Sequence, residues 1–292
     1  MELPDLGKIT IDKIHALFLQ NKNVQFDVLR LDKIHPVISG NKWFKLKYHL
    51  DNFNAGNYNG IITFGGAWSN HIVATACASY IQKINCIGII RGERPGQLSN
   101  TLLQAANYDM DLKFISRDKY AQKTSIEFLE SVKNEFPGHY IIPEGGAGKE
   151  GEKGAGEILQ YADGKNYTHI ACAVGTGTMF NGIREAAFVN QNIFGIVVLK
   201  GWQAENKTNN TEMFLNYHFG GYAKYNVTLI NFMNEFFRLT NIPTDFVYTG
   251  KLVFALFDLI EKDHFPPGSK ILMVHSGGLQ GNASLQKGSL IF

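Results

Sequence analysis

Lys42 is the residue best placed for covalent chemistry in this sequence. Pro36, Ser39, Gly40 and Asn41 before it are turn and cap formers. Trp43, Leu46, Leu50 and Phe53 after it recur at the spacing of an apolar helical stripe. The pattern predicts a helix starting near residue 42. A cation at a helix N-terminus opposes the macrodipole, and burial disfavours its charge further. An amine so discharged is a nucleophile able to form a Schiff base with a carbonyl. The bland alternative is a solvated lysine at a loop–helix junction.

Four other stretches carry chemistry-bearing residues between elements. Gly175-Thr176-Gly177-Thr178 follows an apolar run and precedes a helical one. Glycines there admit close backbone approach, and a helix start offers unpaired N–H groups, so the loop reads as a phosphate cradle or a plain tight turn. It is neither a P-loop nor a clean GxGxxG, because position 180 is Phe. Gly65-Gly66-Ala67-Trp68-Ser69-Asn70-His71 places a hydroxyl, an amide and an imidazole at another helix start, suited to a carboxylate or to ordinary capping. Tyr248 precedes the helix that Thr249-Gly250-Lys251 opens, and His275-Ser276-Gly277-Gly278 closes the last predicted strand. Strand ends in open parallel sheets are where ligands bind. The histidines at 35, 71, 218 and 275 show no ligand spacing, and no metal is expected. No GxSxG elbow supports a serine hydrolase.

These residues need a scaffold, and the runs between them supply one. Strands are expected at 60–64, 85–90, 112–115, 139–142, 168–174, 193–199 and 270–275. Helices are expected at 70–83, 99–108, 121–135, 152–162, 179–190, 228–239 and 251–262. Residues 200–226 give no clear pattern. Strand–helix alternation calls for α/β architecture, with open, mostly parallel twisted sheets covered on both faces. Residues 51–146, with four strands and three helices, read as a smaller α/β domain inserted into a larger one formed by 1–50 and 147–292.

Composition bounds the partners. The chain has 292 residues, 45% hydrophobic and 18% charged, which is globular. A net charge of +2 predicts neither a nucleic-acid nor a membrane surface. No apolar run approaches the ~18 residues of a membrane span, and the acidic start shows no signal peptide. Cys77, Cys86 and Cys172 lie in apolar runs without a CxxC and read as reduced thiols of a cytoplasmic protein.

Taken together and in order, Gly40-Asn41-Lys42, Gly65-Gly66 with Ser69-Asn70-His71, Gly175–Thr178, Tyr248–Lys251 and His275–Gly278 resemble the 1-aminocyclopropane-1-carboxylate deaminase/D-cysteine desulfhydrase family of pyridoxal-phosphate enzymes. The resemblance runs from about residue 25 to the C-terminus. It implies a tryptophan-synthase-β-like fold (fold type II), a homodimer and pyridoxal 5'-phosphate as cofactor. Lys42 would form the Schiff base and Gly175, Thr176, Gly177 and Thr178 would hold the phosphate. Asn70 would face the ring hydroxyl, and Ser69, Tyr222 and Tyr248 would act at the substrate. The cyclopropane deaminases carry glutamate after the tyrosine matching Tyr248 and leucine after the histidine matching His275. Here Thr249 and Ser276 stand there, as in the desulfhydrase branch, and the resemblance implies that both bind the cofactor near its pyridine nitrogen. The resemblance therefore implies a lyase acting on D-cysteine, with cyclopropane deamination as the alternative. A protein that binds cofactor and amino acid without turnover is a third reading. Trp68, Tyr217 and Tyr222 are expected to line the substrate pocket.

Overall fold

The computed structural model describes residues 1–163, 166–203 and 210–292. Two sheets organise the chain. The larger has six strands: β1 (Thr10–Ile14), β2 (Gln25–Arg30), β7 (His169–Val174), β8 (Asn192–Val197), β9 (Thr211–Phe214) and β10 (Lys270–His275), in the order β1-β2-β10-β7-β8-β9. Only the β1–β2 pair is antiparallel, with Thr10 opposite Arg30 and Ile14 opposite Phe26. The rest are parallel. The smaller sheet, β5 (Asp111–Ile115), β4 (Cys86–Arg91), β3 (Gly60–Gly65) and β6 (His139–Ile142), is parallel throughout. Every residue of β3 and β7 is buried, as central parallel strands covered on both faces must be.

Helix α2 (Asn41–Ala55) joins the two sheets. Its Phe44 enters one core of the large sheet, with Ile183 of α8 (Thr178–Ala186) and Val174. Its Leu46 and Leu50 enter a core of the small sheet, with Ile72 and Val73 of α3 (Asn70–Gln82). Helix α7 (Lys149–Gly156) lies close against it: a Cβ on Gly154 would stand 1.8 Å from the Phe44 carbonyl oxygen, so only glycine permits that approach. The opposite face of the large sheet is covered by α9 (Val227–Thr240) and α10 (Thr249–Glu261), and α4 (Asn100–Asn107) packs beside α3.

Several elements depart from the sequence reading. The run 121–135 is broken: α5 (Arg117–Ala121) ends, and Ser125 caps α6 (Ile126–Glu135) by accepting from the Phe128 N–H. The block 51–146 therefore carries four helices besides the end of α2. The helix expected at 152–162 is α7 followed by a tighter 3-10 stretch at Glu157–Tyr161. Helix α8 stops at Ala186, where Ala187 turns extended. Strands β1 and β2 had no reading, and β9 lies in the unclear stretch 200–226, of which 204–209 fall outside the described residues.

Candidate active site

The turns that end β3, β7 and β10 converge on the start of α2. Gly40 takes φ +63°, and a Cβ there would lie 1.8 Å from the Ser276 carbonyl oxygen, which accepts from the Asn41 N–H. The two turns thus interlock and fix where α2 begins. The Lys42 amine donates to Asn41 Oδ1 at 2.7 Å and stands 5.9 Å from the Tyr248 ring centre. The Asn41 amide meets Met179 Sδ at 3.3 Å, one residue past Thr178. Lys42 is partly exposed as a residue, but burial around its amine lowers its pKa to about 8, against the pull of Asp245.

One turn along α2, Lys45 is 5% exposed. Among the described residues its amine has no hydrogen bond or ion pair. Burial, then repulsion from Lys42, lowers its pKa to about 7, with Cys172 opposing. The Gly145-Gly146 turn connects this lysine to the threonine loop. A Cβ on Gly146 would sit 3.0 Å from Lys45 Cβ, and one on Gly145 would sit 2.9 Å from Thr176 Cγ2. The loop itself runs from β7 into α8, with Gly177 as N-cap and the Thr176 and Thr178 hydroxyls 3.0 Å apart. No side chain caps α8, so its first N–H groups have no side-chain partner.

Ser69 caps α3 by accepting from the Ile72 N–H at 3.3 Å. Asn70 is buried, and among the described residues its Oδ1 has no partner. His71 meets the Thr63 hydroxyl at 2.7 Å, and that hydroxyl donates to the Ile142 carbonyl. His71 Nε2 is therefore the donor, which leaves Nδ1 without a proton, buried and, among the described residues, unpartnered. Burial, with Lys42 and Lys45 close, holds the ring well below its ordinary pKa.

At the start of α10, Asp245 is fully buried and accepts from the N–H groups of Val247, Tyr248 and Thr249, each at 2.9 Å. The Thr249 hydroxyl donates to Asp245 Oδ1 at 2.7 Å and accepts from the Asp245 N–H at 2.8 Å. Its single proton is committed to that cap. Ser276 is buried too, but its hydroxyl makes no hydrogen bond among the described residues. Tyr248 packs on Gly175, where a Cβ would be 3.0 Å from its ring, and faces Tyr222 with ring centres 6.1 Å apart. Burial raises both phenols. Lys42, Asn70, the threonine loop, Tyr222, Tyr248 and Ser276 thus line one junction, with Ser69 at its rim.

Lys45, Asp245 and Lys251 were not singled out by sequence reasoning. A usable signal existed for Lys45: a lysine three residues from Lys42, and so on the same face of one helix. Tyr217 departs from expectation. Its hydroxyl donates to Asp258 at 2.6 Å, nine residues past Thr249 and so about 13 Å along α10. Among the described residues no group of three His, Cys, Asp or Glu is placed to hold a metal, and no helix is long and apolar enough to cross a membrane.

The architecture is that of the fold type II pyridoxal-phosphate enzymes. A solved 1-aminocyclopropane-1-carboxylate deaminase homologue superposes with TM-score 0.80 at 23% identity, over 97% of this chain and 92% of its own. An O-acetylserine-dependent cystathionine β-synthase from Helicobacter pylori superposes at 0.67 and 13%, over 96% of each chain. In sequence the chain is similar to proteins named for the 1-aminocyclopropane-1-carboxylate deaminase/D-cysteine desulfhydrase family, the likeness its motifs carry. A Pyrococcus horikoshii protein provisionally named as the deaminase is 28% identical over 268 residues, 84% of this chain and 81% of that one. An Arabidopsis thaliana protein named as a bifunctional, mitochondrial D-cysteine desulfhydrase/deaminase is 28% identical over 84% of this chain and 70% of its own. A Salmonella paratyphi A D-cysteine desulfhydrase is 25% identical over 86% of each. No family model matches the chain.

Proposed function

We propose that this chain is a pyridoxal-phosphate-dependent lyase that converts D-cysteine to pyruvate, hydrogen sulfide and ammonia. The observation that carries the cofactor is the pair Lys42 and Lys45. Two amines on one face of α2 are buried beside a glycine–threonine helix start, and among the described residues Lys45 has no anion of its own. A buried ammonium without a partner costs several kcal/mol, and a phosphate group supplies the missing charge. The Asn70 Oδ1 and the Ser276 hydroxyl, both without a partner among the described residues, would suit a polar ring held at this junction.

Bound there, pyridoxal phosphate supplies a carbonyl for Lys42 and an electron sink for the carbanion at the substrate Cα. The chain's own residues do the rest. Lys45, Thr176 and Thr178 hold the phosphate. Lys42, lowered to about 8, takes the Cα proton as a general base near neutral pH. Ser69 and the N–H groups opening α3 hold the substrate carboxylate. Tyr222 and Tyr248, their phenols raised by burial, stay protonated and donate toward the leaving group.

The choice of D-cysteine over a cyclopropane rests on the ring-nitrogen side. Of the two hydroxyls expected there, Thr249 is spent on Asp245 and Ser276 is free. A neutral hydroxyl leaves the pyridine nitrogen less protonated than a glutamate would, and so a weaker sink. That suffices for β-elimination of a good leaving group and disfavours opening a carbon ring. We also propose that the protein works as a homodimer and that residues 51–146 form the smaller of two domains.

The protein mixed with pyridoxal phosphate should show visible absorbance near ~420 nm that Lys42→Ala abolishes. D-cysteine should then release sulfide and pyruvate in equal amounts. Release of 2-oxobutanoate from the cyclopropane substrate with no sulfide from D-cysteine would replace this reading with the deaminase. Absorbance without turnover of either would leave a binding protein.

A further inference from the structure

Lys251 is a third buried lysine. Its residue has no solvent exposure, on the first turn of α10, where the helix dipole and burial both oppose a cation. Burial lowers its pKa to about 8, with Asp245 opposing. Its amine is held by two backbone carbonyls, those of His218 and Gly221, each at 2.8 Å.

Those carbonyls belong to a turn with an unusual backbone, closed in part by the Gly220 N–H donating to His218 Nδ1 at 2.9 Å. Phe219, Gly220, Gly221 and Ala223 all take positive φ, and two of the four are not glycine, a conformation such side chains rarely adopt. The Gly221 N–H bonds the His218 carbonyl and the Lys224 N–H bonds the Gly221 carbonyl, so Lys251 adds a second donor to both acceptors. Phe219 packs on Phe254, also on α10, with ring centres 5.0 Å apart. The next residue after Gly221 is Tyr222. It is 40% exposed, and its ring meets Tyr248, the N-cap residue of α10, three positions before Lys251.

We infer that Lys251 is a positioning residue: its ammonium clamps the 218–222 turn onto α10 and thereby sets where the Tyr222 phenol stands above Tyr248 and Lys42. The clamp acts on the substrate side of the site. Among the described residues no hydrogen bond or ion pair joins Lys251 to the threonine loop or to Lys45. A leucine or methionine at 251 would fill the same volume without a buried charge, and would leave two inward carbonyls each one donor short. The inference rests on the proposed lyase reading for its link to turnover, and on geometry alone for the clamp.

The full-length protein loaded with pyridoxal phosphate is compared with Lys251→Met, Tyr222→Ala and the double variant. Lys251→Met is expected to lower kcat/KM for D-cysteine by about ten- to a hundredfold while leaving cofactor affinity and visible absorbance unchanged. In the Tyr222→Ala background the same substitution should change kcat/KM less than about twofold, because the two residues act as one unit. Additive losses, or a fall in cofactor affinity matching the fall in kcat/KM, would overturn the inference. If Lys251→Met does not fold, Lys251→Gln, which is shorter but keeps a donor, replaces it in both backgrounds; a smaller loss of kcat/KM than about tenfold is then expected, again absent from the Tyr222→Ala background, and an additive loss overturns the inference. Hydrogen exchange of residues 218–223 separates the clamp from the lyase reading. Faster exchange confined to that turn supports the clamp even in a protein that turns over no substrate, and unchanged exchange overturns it.

Discussion

Two of the groups of buried charge in this fold are built on opposite plans. At the edge of the large sheet, Arg30 donates to Asp12 and to both oxygens of Asp32, and Asp32 also meets His275 Nδ1 at 3.2 Å. Burial alone would raise Asp32 and lower Arg30. Instead His275 and Arg30 hold the Asp32 carboxyl below its usual range, and Asp32 with Asp12 raises Arg30. This group is complete without a ligand. On α2 the reverse holds: burial dominates, and both Lys42 and Lys45 are lowered. Charge that the protein pairs for itself fixes the His275–Gly278 turn in place. Charge left without a partner marks where something else must bind.

The contrast can be broken most directly at Lys42. Lys42→Ala should cost the proposed activity at least about a thousandfold, some 4 kcal/mol, with an unfolding midpoint no lower than that of the parent. A stability loss of that size instead would place Lys42 with the self-paired group. Next, Asp32→Asn should destabilise the protein by about 3–5 kcal/mol in urea unfolding, because Arg30 keeps its burial and loses its main partner. An effect under about 1 kcal/mol would erase the distinction between the groups.

Lys45→Met sharpens the comparison, since its two effects have opposite signs. Affinity for pyridoxal phosphate, titrated by visible absorbance, should fall by about ten- to a hundredfold. The cofactor-free protein should become more stable. The pH dependence gives the sign. Lys45 has a folded pKa of about 7, below the ~10.4 of an unfolded lysine, so between those values the unfolded chain holds more protons. Its penalty is therefore fully present below about pH 7 and is relieved as pH rises toward 10. The gain from Lys45→Met should be largest below neutrality and fade above it, read from denaturation midpoints across that range. The smallest effect is expected at the ring-nitrogen side. Ser276→Ala should lower kcat by a few-fold to tenfold with cofactor affinity nearly unchanged, whereas Thr249→Val should act on stability by about 1 kcal/mol through the Asp245 cap.

The difference between Thr249 and Ser276 shows where sequence reasoning ran out. Both are small hydroxyls following motif residues, and both were expected at the same cofactor atom. Which hydroxyl is free depends on Asp245, four residues earlier, whose carboxylate takes the Thr249 proton. Tyr217 and Tyr222 diverge in the same way. One is drawn to Asp258 and the other is turned toward Tyr248 by a run of positive φ angles. The helix break before Ser125 was legible in principle as a cap, yet apolar periodicity across 121–135 concealed it.

Read alone, the sequence determined the α/β alternation, the helix that begins beside Lys42 and the family likeness. Each of these rests on local periodicity, turn chemistry and short motifs. Only the tertiary structure decided that α2 lies between two sheets, that Lys45 joins Lys42 without a counter-charge, and that Lys251 grips a turn some thirty residues earlier in the chain. Burial and pairing are properties of what packs around a side chain, and those neighbours are distant in sequence.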